Sequence, residues 1–216
     1  IAISPPLLAI FALDTSVFLP GSVTAEFQVI SINTGPVALL GEWKGKEVYS
    51  AINKRPIKSS AITVGDLGLA SDEQSDKKVH GGLDKAIYSY PSEHFVAWEL
   101  AIGREFEPGS FGENLTTAGV SESDIRIGDW WSWGEVVLQV TKPRQPCYKL
   151  IMYSGVDDII QHMRKNLRCG WYWKVILPGT VSAEAPMRLL VRGVGPTILE
   201  SYARKVQNPI NPAFFG

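Results

Sequence analysis

Short runs of β-branched and aromatic residues, each closed by glycine, proline, asparagine or aspartate, recur along most of this 216-residue chain. They predict strands at residues 27–32, 62–64, 86–90, 130–133, 135–141, 171–177 and 187–191. Residues 43–52 predict a hairpin that turns at Lys44-Gly45. Many short strands in one chain favour a sheet that curls on itself. We therefore predict a mainly β fold with a few helices (α+β), built as a closed or partly closed β-barrel.

Three helices are predicted between or after these strands. The first begins at Ser92, whose hydroxyl can cap the first turn, and runs to Gly103. The second begins near Asp157, carries basic residues in its last turns and ends at Gly170. The third covers residues 197–206. A further helix start is predicted at Pro146, because a proline at the first helical position loses no hydrogen bond.

The composition is that of one globular domain, with 45% hydrophobic residues, 20% charged residues and a net charge of -1. No long basic run is present, which argues against a nucleic acid polymer as partner. The apolar run at residues 7–13 is too short to cross a bilayer and lacks the basic lead-in of a secretory signal, so we expect no membrane association. Cys147 and Cys169 lie too far apart for a CxxC pair. This favours a reduced, cytoplasmic protein over one with a disulfide.

Cys147 lies in the most informative segment, residues 142–150 (KPRQPCYKL). Arg144 and Lys149 are close to it in sequence, and a helix start would place free backbone N–H groups beside it. Both features favour the thiolate over the thiol, and a thiolate is a ligand for soft transition metals. The alternative is a small buried apolar residue after a strand, the usual place of a lone cysteine. The local sequence leaves both open.

A second candidate segment contains His80, Gly81 and Gly82 ahead of a predicted strand. The two glycines allow close approach of the backbone to a ligand and can point successive N–H groups at an anion. His80 could donate to the same anion. The alternative is a tight turn with a surface histidine.

Two further segments carry polar candidates. Glu113 and Asn114 offer a carboxylate and an amide to a heterocyclic ligand, or only stabilise a turn. Lys58 is a candidate phosphate ligand, or a solvated lysine. The acidic residues between positions 66 and 84 have no spacing that indicates a pair for acid–base catalysis.

Taken in order, these segments resemble the MOSC family, which is named after the C-terminal domain of molybdenum cofactor sulfurase, and within it the YiiM branch. Each short motif alone would be common, whereas the ordered set over roughly residues 27–194 is specific. Ser71 stands where this branch tends to have glycine, and Lys85 where arginine is common. The matching stretches are RP at 55–56, KS at 58–59, GL at 68–69, DEQ at 72–74, KKVHGG at 77–82, YP at 90–91, FGENL at 111–115, IGD at 127–129, PR at 143–144, PCYKL at 146–150, GW at 170–171, PG at 178–179 and VSA at 181–183.

The resemblance implies a β-barrel like the small barrel domain of pyruvate kinase over residues 27–194. Residues 1–26 would be an N-terminal extension, and residues 195–216 the start of a shortened C-terminal helical extension. The implied cofactor is a molybdenum–pterin (Mo-molybdopterin). Its implied protein contacts are a metal-binding and catalytic Cys147, a catalytic His80 that also lines the pterin or the substrate together with Glu113 and Asn114, and phosphate-binding groups at Lys58, Gly81, Gly82, Arg144 and Lys149.

The activity implied by this branch is reductive removal of the N-hydroxyl group from bases such as 6-hydroxylaminopurine. We expect a small-molecule substrate and a separate electron-donating reductase, because no flavin, nicotinamide or iron–sulfur motif is visible. The sequence is also compatible with a homodimer. Two alternatives remain: a carrier of the molybdenum cofactor or its sulfur, and a barrel that binds pyridoxal phosphate or another phosphate ligand, with a lysine forming the Schiff base.

Overall fold

Seven strands close into a barrel in the computed structural model, which describes residues 25–75 and 81–207. The strands of the described chain are β1 Glu26–Thr34, β2 Ala38–Trp43, β3 Lys46–Ser50, β4 Arg55–Pro56, β5 Ala61–Gly65, β6 Gly68–Leu69, β7 Ile87–Pro91, β8 Leu115–Ala118, β9 Trp130–Trp133, β10 Val136–Pro143, β11 Trp171–Leu177, β12 Gly179–Ser182 and β13 Met187–Val191. Its helices are α1 Glu93–Ile102, α2 Tyr148–Ser154, α3 Ile159–Asn166 and α4 Ile198–Gln207, with a 3-10 turn at Leu83–Lys85.

The barrel runs in the order β1, β13, β9, β10, β11, β7 and β8, and β8 returns to β1. Neighbouring strands are antiparallel apart from β7 and β8, which are parallel. Closure is made by a short pairing of β1 with β13, in which Phe27 lies opposite Met187. The predicted mainly β, closed barrel is therefore confirmed.

Alternation of side chains along the strands fills the barrel with large aromatic residues. In β11, Trp171, Trp173 and Val175 are buried, and the residues between them are more exposed. Trp131 and Trp133 are also buried, from β9, and the ring of Phe27 lies 4.8 Å from that of Trp131. The interior is thus a packed aromatic core, and a ligand site has to lie at its margin.

The predicted strands at 130–133, 171–177 and 187–191 have the bounds of β9, β11 and β13. The predicted hairpin turn is confirmed: Lys44 and Gly45 join β2 to β3 and both have positive φ, 52° and 77°, as a type I′ turn requires. The hairpin itself begins at Ala38, earlier than the predicted Trp43. Four short strands, β4, β6, β8 and β12, were not predicted from the sequence.

The predicted first helix is confirmed as α1, with Ser92 directly before it and Gly103 directly after it. The side-chain cap predicted for Ser92 and the predicted end of the second helix were wrong. Ser92 makes no side-chain cap to α1, because its backbone is already helical (φ -67°, ψ -21°). The second helix, α3, begins at Ile159 and stops where Leu167 turns left-handed (φ 56°), not at Gly170. Gly170 directly precedes β11 instead. The predicted last helix is present as α4.

Of the predicted N-terminal extension, residues 1–24 lie outside the described residues, and Glu26 already belongs to β1. Residues 208–216 of the predicted C-terminal extension also lie outside them. Within the described ranges, the helices are all too short or too polar to span a bilayer.

Candidate functional site

A cavity with about 700 Å³ of open space, part of it continuous with solvent, lies where the hairpin, the loop after β6 and the segment after β10 meet the barrel. It brings together four predicted site residues: Asn114, Arg144, Cys147 and Lys149. The full lining is Ser50, Ala51, Ile52, Lys54, Asp72, Glu73, Gln74, Ser75, Lys85, Ala86, Tyr88, Phe111, Gly112, Asn114, Arg144, Gln145, Cys147, Lys149 and Tyr172.

Cys147 is held at the junction of β10 and α2. It has an extended backbone (φ -131°, ψ 173°) and is the residue just before the helix, where its carbonyl accepts the N–H of Leu150 at 2.9 Å. The predicted helix is therefore present, but it begins at Tyr148 with Cys147 at its cap, so Pro146 is not its first residue as predicted. The Cys147 side chain is half-buried at the cavity, and not sealed in the core.

Cys169, the second cysteine, lies in a different environment. It is completely buried, and its thiol donates to the carbonyl of Gly170 at 3.2 Å. Burial raises the pKa of the Cys169 thiol well above its ordinary value. Cys169 is thus an uncharged core residue.

Arg144 is a buried cation in the cavity wall, only 6% exposed. Its guanidinium lies over the ring of Tyr88, 5.2 Å from the centroid, and donates to the sulfur of Met163 at 3.5 Å. Burial opposes its charge, yet the nearby phenols of Tyr88 and Tyr172 bring the pKa of Arg144 above its ordinary value. In the described part of the chain no carboxylate forms a salt bridge with it. Such a group is suited to bind an anion.

The cavity carries an excess of positive charge although the chain as a whole has a net charge of -1. The lining contains four cationic side chains and two carboxylates. The ammonium of Lys149 donates to the carbonyl of Tyr49 at 3.0 Å and the hydroxyl of Ser75 at 3.4 Å, so it joins α2 to the hairpin and to the loop after β6. Concentrated positive charge in a concave site favours an anionic ligand.

Asn114 lies at the cavity, but its amide is engaged in the fold. Its Oδ1 accepts the backbone N–H of Tyr88 at 3.1 Å. Its Nδ2 donates to the carbonyl of Asn33 at 3.3 Å and to Asp72 at 2.8 Å. It therefore ties β7, β1 and the loop after β6 together beside the site.

Glu113 does not reach the cavity surface. It has no exposed surface and accepts hydrogen bonds from the backbone N–H groups of Gly109 (2.7 Å) and Phe111 (3.0 Å) and from the hydroxyl of Thr116 (2.9 Å). Burial raises the pKa of Glu113 to about 7, against the effect of these hydrogen bonds. Its described contacts hold the loop before β8, so the expected lining role is not supported by its position.

The remaining predicted residues are not gathered at the cavity. Lys58 is exposed and outside the lining. Gly81 and Gly82 also lie outside it, and the N–H of Gly82 donates to the side chain of Gln74 at 2.8 Å, not towards open space. His80 lies outside the described residues.

Several lining residues were not singled out from the sequence. Tyr88 and Tyr172 are aromatic residues on adjacent strands, β7 and β11, where their rings pack 5.3 Å apart. Lys54 and Asp72 form a buried ion pair whose side chains are 8% and 7% exposed. The alternation of strand residues could have indicated the two tyrosines, but nothing local in the sequence indicates the ion pair.

Glu122 does not line the cavity, but it holds the backbone next to two residues that do. One of its oxygens accepts the N–H groups of Cys169 (2.9 Å) and Gly170 (2.8 Å), and the other lies 2.8 Å from Nε2 of His94. The carbonyl of Gly170 in turn accepts the backbone N–H of Arg144, and the carbonyl of Cys169 accepts the hydroxyl of Tyr88. This network fixes the two residues that face each other at the cavity.

Residues 76–188 match the MOSC domain family. Protein YiiM of Escherichia coli (strain K12) is 40% identical over 177 residues, which are 81% of this chain and 77% of that protein. The chain belongs to the MOSC domain family. The crystal structure of YiiM from Geobacillus stearothermophilus matches this MOSC protein with a TM-score of 0.70 at 34% identity, covering 87% of each chain. A Gibberella moniliformis protein named reductase is 31% identical to it over 156 residues, 68% of this chain and 27% of that protein.

The cavity of this MOSC protein fits a molybdenum–pterin cofactor by the chemistry of its side chains. A half-buried thiol, a buried arginine with no described carboxylate partner, and two tyrosines whose rings pack against each other at a tilt share one lining. These groups suit a soft metal, a phosphate and a planar ring respectively. In residues 25–75 and 81–207, no group of three or more His, Cys, Asp and Glu side chains that could hold a metal ion is found.

Proposed function

We propose that this MOSC protein binds the molybdenum cofactor in the cavity and reduces N-hydroxylated nucleobases, of the 6-hydroxylaminopurine type, or related N-hydroxylated compounds. The observation that carries the proposal is the placement of Cys147 in an open, cation-rich cavity. The similarity to a protein named reductase supports redox chemistry.

The protein side of this proposal is divided among three residues. Cys147 would supply one thiolate to molybdenum, whose other sulfur ligands come from the pterin. Arg144 would bind the cofactor's phosphate, because a guanidinium pairs well with phosphate oxygens. Lys149 would add a second charge while it holds the hairpin against α2.

The bound cofactor supplies the electron transfer, and the chain supplies position, charge and exclusion of water. Tyr88 and Tyr172 offer ring faces to a planar pterin or base. The electrons come from a separate reductase, and the substrate is a small molecule.

The decisive experiment compares the wild type with Cys147→Ala and Cys169→Ala. Protein produced with the cofactor is analysed for molybdenum and assayed for reduction of 6-hydroxylaminopurine with a reduced viologen dye. We expect Cys147→Ala to lose both metal and turnover, and Cys169→Ala to keep metal wherever it folds. Equal turnover by the wild type and Cys147→Ala would contradict the role of Cys147.

The same experiment separates the two alternatives. Stoichiometric molybdenum without reduction of any N-hydroxylated compound would favour a carrier of the cofactor or its sulfur. A pyridoxal phosphate site would give an absorbance band that disappears on borohydride treatment. Two of the three lysines in the cavity lining do not favour it, since Lys54 is ion-paired and Lys149 is engaged in two hydrogen bonds.

A further inference from the structure

The buried pair of Lys54 and Asp72 lines the same cavity as Cys147 but has no part in the function proposed above. The two side chains are 8% and 7% exposed. A buried ion pair is a weak source of stability, because apolar residues of similar size often stabilise a fold as well. Its place at the cavity therefore points to a use beyond folding.

The hydrogen bonds of the two partners are unequal. Asp72 is fixed on both oxygens: Oδ1 accepts from Lys54 and from the N–H of Gly35 (3.0 Å), and Oδ2 accepts from Asn114 (2.8 Å). Among the described residues, the Lys54 ammonium donates to Asp72 alone. An ammonium has three N–H donors, so two of them have no described protein acceptor although the side chain is more than nine-tenths buried. A ligand oxygen would satisfy them.

We propose that Lys54, positioned by Asp72, binds the oxygen of the substrate's N-hydroxyl group and gives it a proton. This inference rests on the proposed function. In that reaction R–NH–OH takes up two electrons and two protons, the N–O bond breaks, and the products are R–NH2 and water. The electrons come from the external donor, a reduced viologen dye in vitro. Lys54 supplies the proton that leaves in the water, the nitrogen takes the other from solvent, and the Lys54 amine is then reprotonated from solvent.

Arg144, Tyr88 and Tyr172 also line the cavity and carry protons, but they are less suited to this step. Arg144 does not give up its proton in proteins. Burial raises the pKa of the phenols of Tyr88 and Tyr172, which therefore hold their protons more firmly. Burial lowers the pKa of Lys54, although the charges of Asp72 and Glu113 oppose this. Lys54 is therefore a better acid than an exposed lysine.

Binding to the cofactor-free protein tests the contact without relying on turnover. Calorimetry would compare 6-hydroxylaminopurine with adenine, which lacks only the hydroxyl oxygen. We expect the wild type to bind the hydroxylated base about tenfold more tightly, as for a hydrogen bond to a charged group. In the double variant Lys54→Met/Asp72→Asn, which leaves no isolated buried charge, this preference should disappear while adenine binds as before. Lys46→Met, the same change on an exposed lysine, should keep the preference.

Turnover of the molybdenum-loaded protein tests the proton transfer. Lys54→Arg keeps the donor but cannot release a proton, so it should keep the binding preference and lose about 100-fold in turnover. If the wild type is active but binds 6-hydroxylaminopurine no more tightly than adenine, the role of Lys54 is overturned and the proposed function is not. The same holds if the wild type is active and the double variant still prefers the hydroxylated base. If the preference for the hydroxylated base depends on Lys54 but the molybdenum-loaded wild type reduces no N-hydroxylated compound, the acid role of Lys54 and the proposed function are both overturned.

Discussion

Glu113 is a fully buried carboxyl group, and its ionisation ties the stability of the protein to pH. Burial raises its pKa from 4.5 to about 7. Between these values the unfolded chain releases the proton while the folded protein keeps it, so stability falls as pH rises and levels off above pH 7. From this shift the loss is at most about 3 kcal/mol.

We predict that Glu113→Gln removes this pH dependence. The variant loses hydrogen bonds at every pH, but its deficit relative to the wild type should shrink by up to about 3 kcal/mol between pH 4.5 and pH 8. Urea unfolding at several pH values measures it. Glu135→Gln, the same change at an exposed position, should track the wild type. A constant deficit for Glu113→Gln would show that Glu113 is ionised throughout.

Ser71 adopts a left-handed backbone, φ 67°, a conformation that favours glycine. This conformation is unfavourable for residues with a Cβ atom by about 1 kcal/mol. We predict that Ser71→Gly stabilises the protein by about 0.5–1 kcal/mol, a rise in Tm of about 2–4 °C for a chain of this size. Calorimetric melting measures it. Ser59→Gly, at a residue without positive φ, should lower Tm instead.

At the level of single residues, the sequence could indicate groups that lie close along the chain. Arg144, Cys147 and Lys149 fall within six residues, and the structure places all three at one cavity. Lys54 and Asp72 are 18 residues apart in different segments, and only the fold makes them neighbours. Glu113 and Asn114 are adjacent, yet only Asn114 lines the cavity, and composition cannot show which of the two does so.

At the level of elements, Gly170 controls how β11 packs beside β7. It has φ 65°, and a Cβ atom there would lie 2.2 Å from the carbonyl oxygen of Ser89. We predict that Gly170→Ala destabilises the protein by more than about 3 kcal/mol, because left-handed strain and a backbone clash act together. It should also weaken ligand binding, since Gly170 accepts from the N–H of Arg144.

Gly103 provides the matched control for this prediction. It has a similar backbone conformation, φ 78°, but an added Cβ atom would meet nothing within 4 Å. Gly103→Ala should therefore report the conformational strain alone, about 1 kcal/mol. Denaturant unfolding of both variants separates the two contributions. Equal losses would mean that the space around Gly170 can expand without cost.

The strands that were predicted with correct bounds are rich in tryptophan, valine and leucine, and they line the core. Those that were missed are short or rich in small and polar residues, as in β8 (LTTA) and β12 (GTVS). Such strands form because they pair with the edge of a strand that is distant in sequence, and local sequence does not show that pairing. The end of α3 was misplaced for a related reason: Leu167 takes a left-handed turn that a glycine is expected to supply.

For the whole molecule, closure of the barrel depends on one short contact between the two ends of the sheet. The pairing of β1 with β13 joins residues about 160 positions apart, and two residue pairs define it. Local sequence can predict the strands but not which pair closes the ring. The match to the MOSC family over residues 76–188 includes only the first two residues of β13, Met187 and Arg188, and excludes β1, so the family match contains one side of this seam and not the other.

Phe27 lies at this seam, 3% exposed, opposite Met187 and 4.8 Å from the ring of Trp131. We predict that Phe27→Ala lowers the free energy of unfolding by about 3–5 kcal/mol and that unfolding stays a single transition, because opening the ring exposes two strand edges at once. Tryptophan fluorescence and far-ultraviolet circular dichroism should therefore give the same midpoint in urea. Phe95→Ala, at a half-buried phenylalanine of α1 outside the barrel, should cost less than half as much. Different midpoints for the two probes in Phe27→Ala would mean that the barrel opens before the helices unfold, and that the seam does not hold the molecule together as one unit.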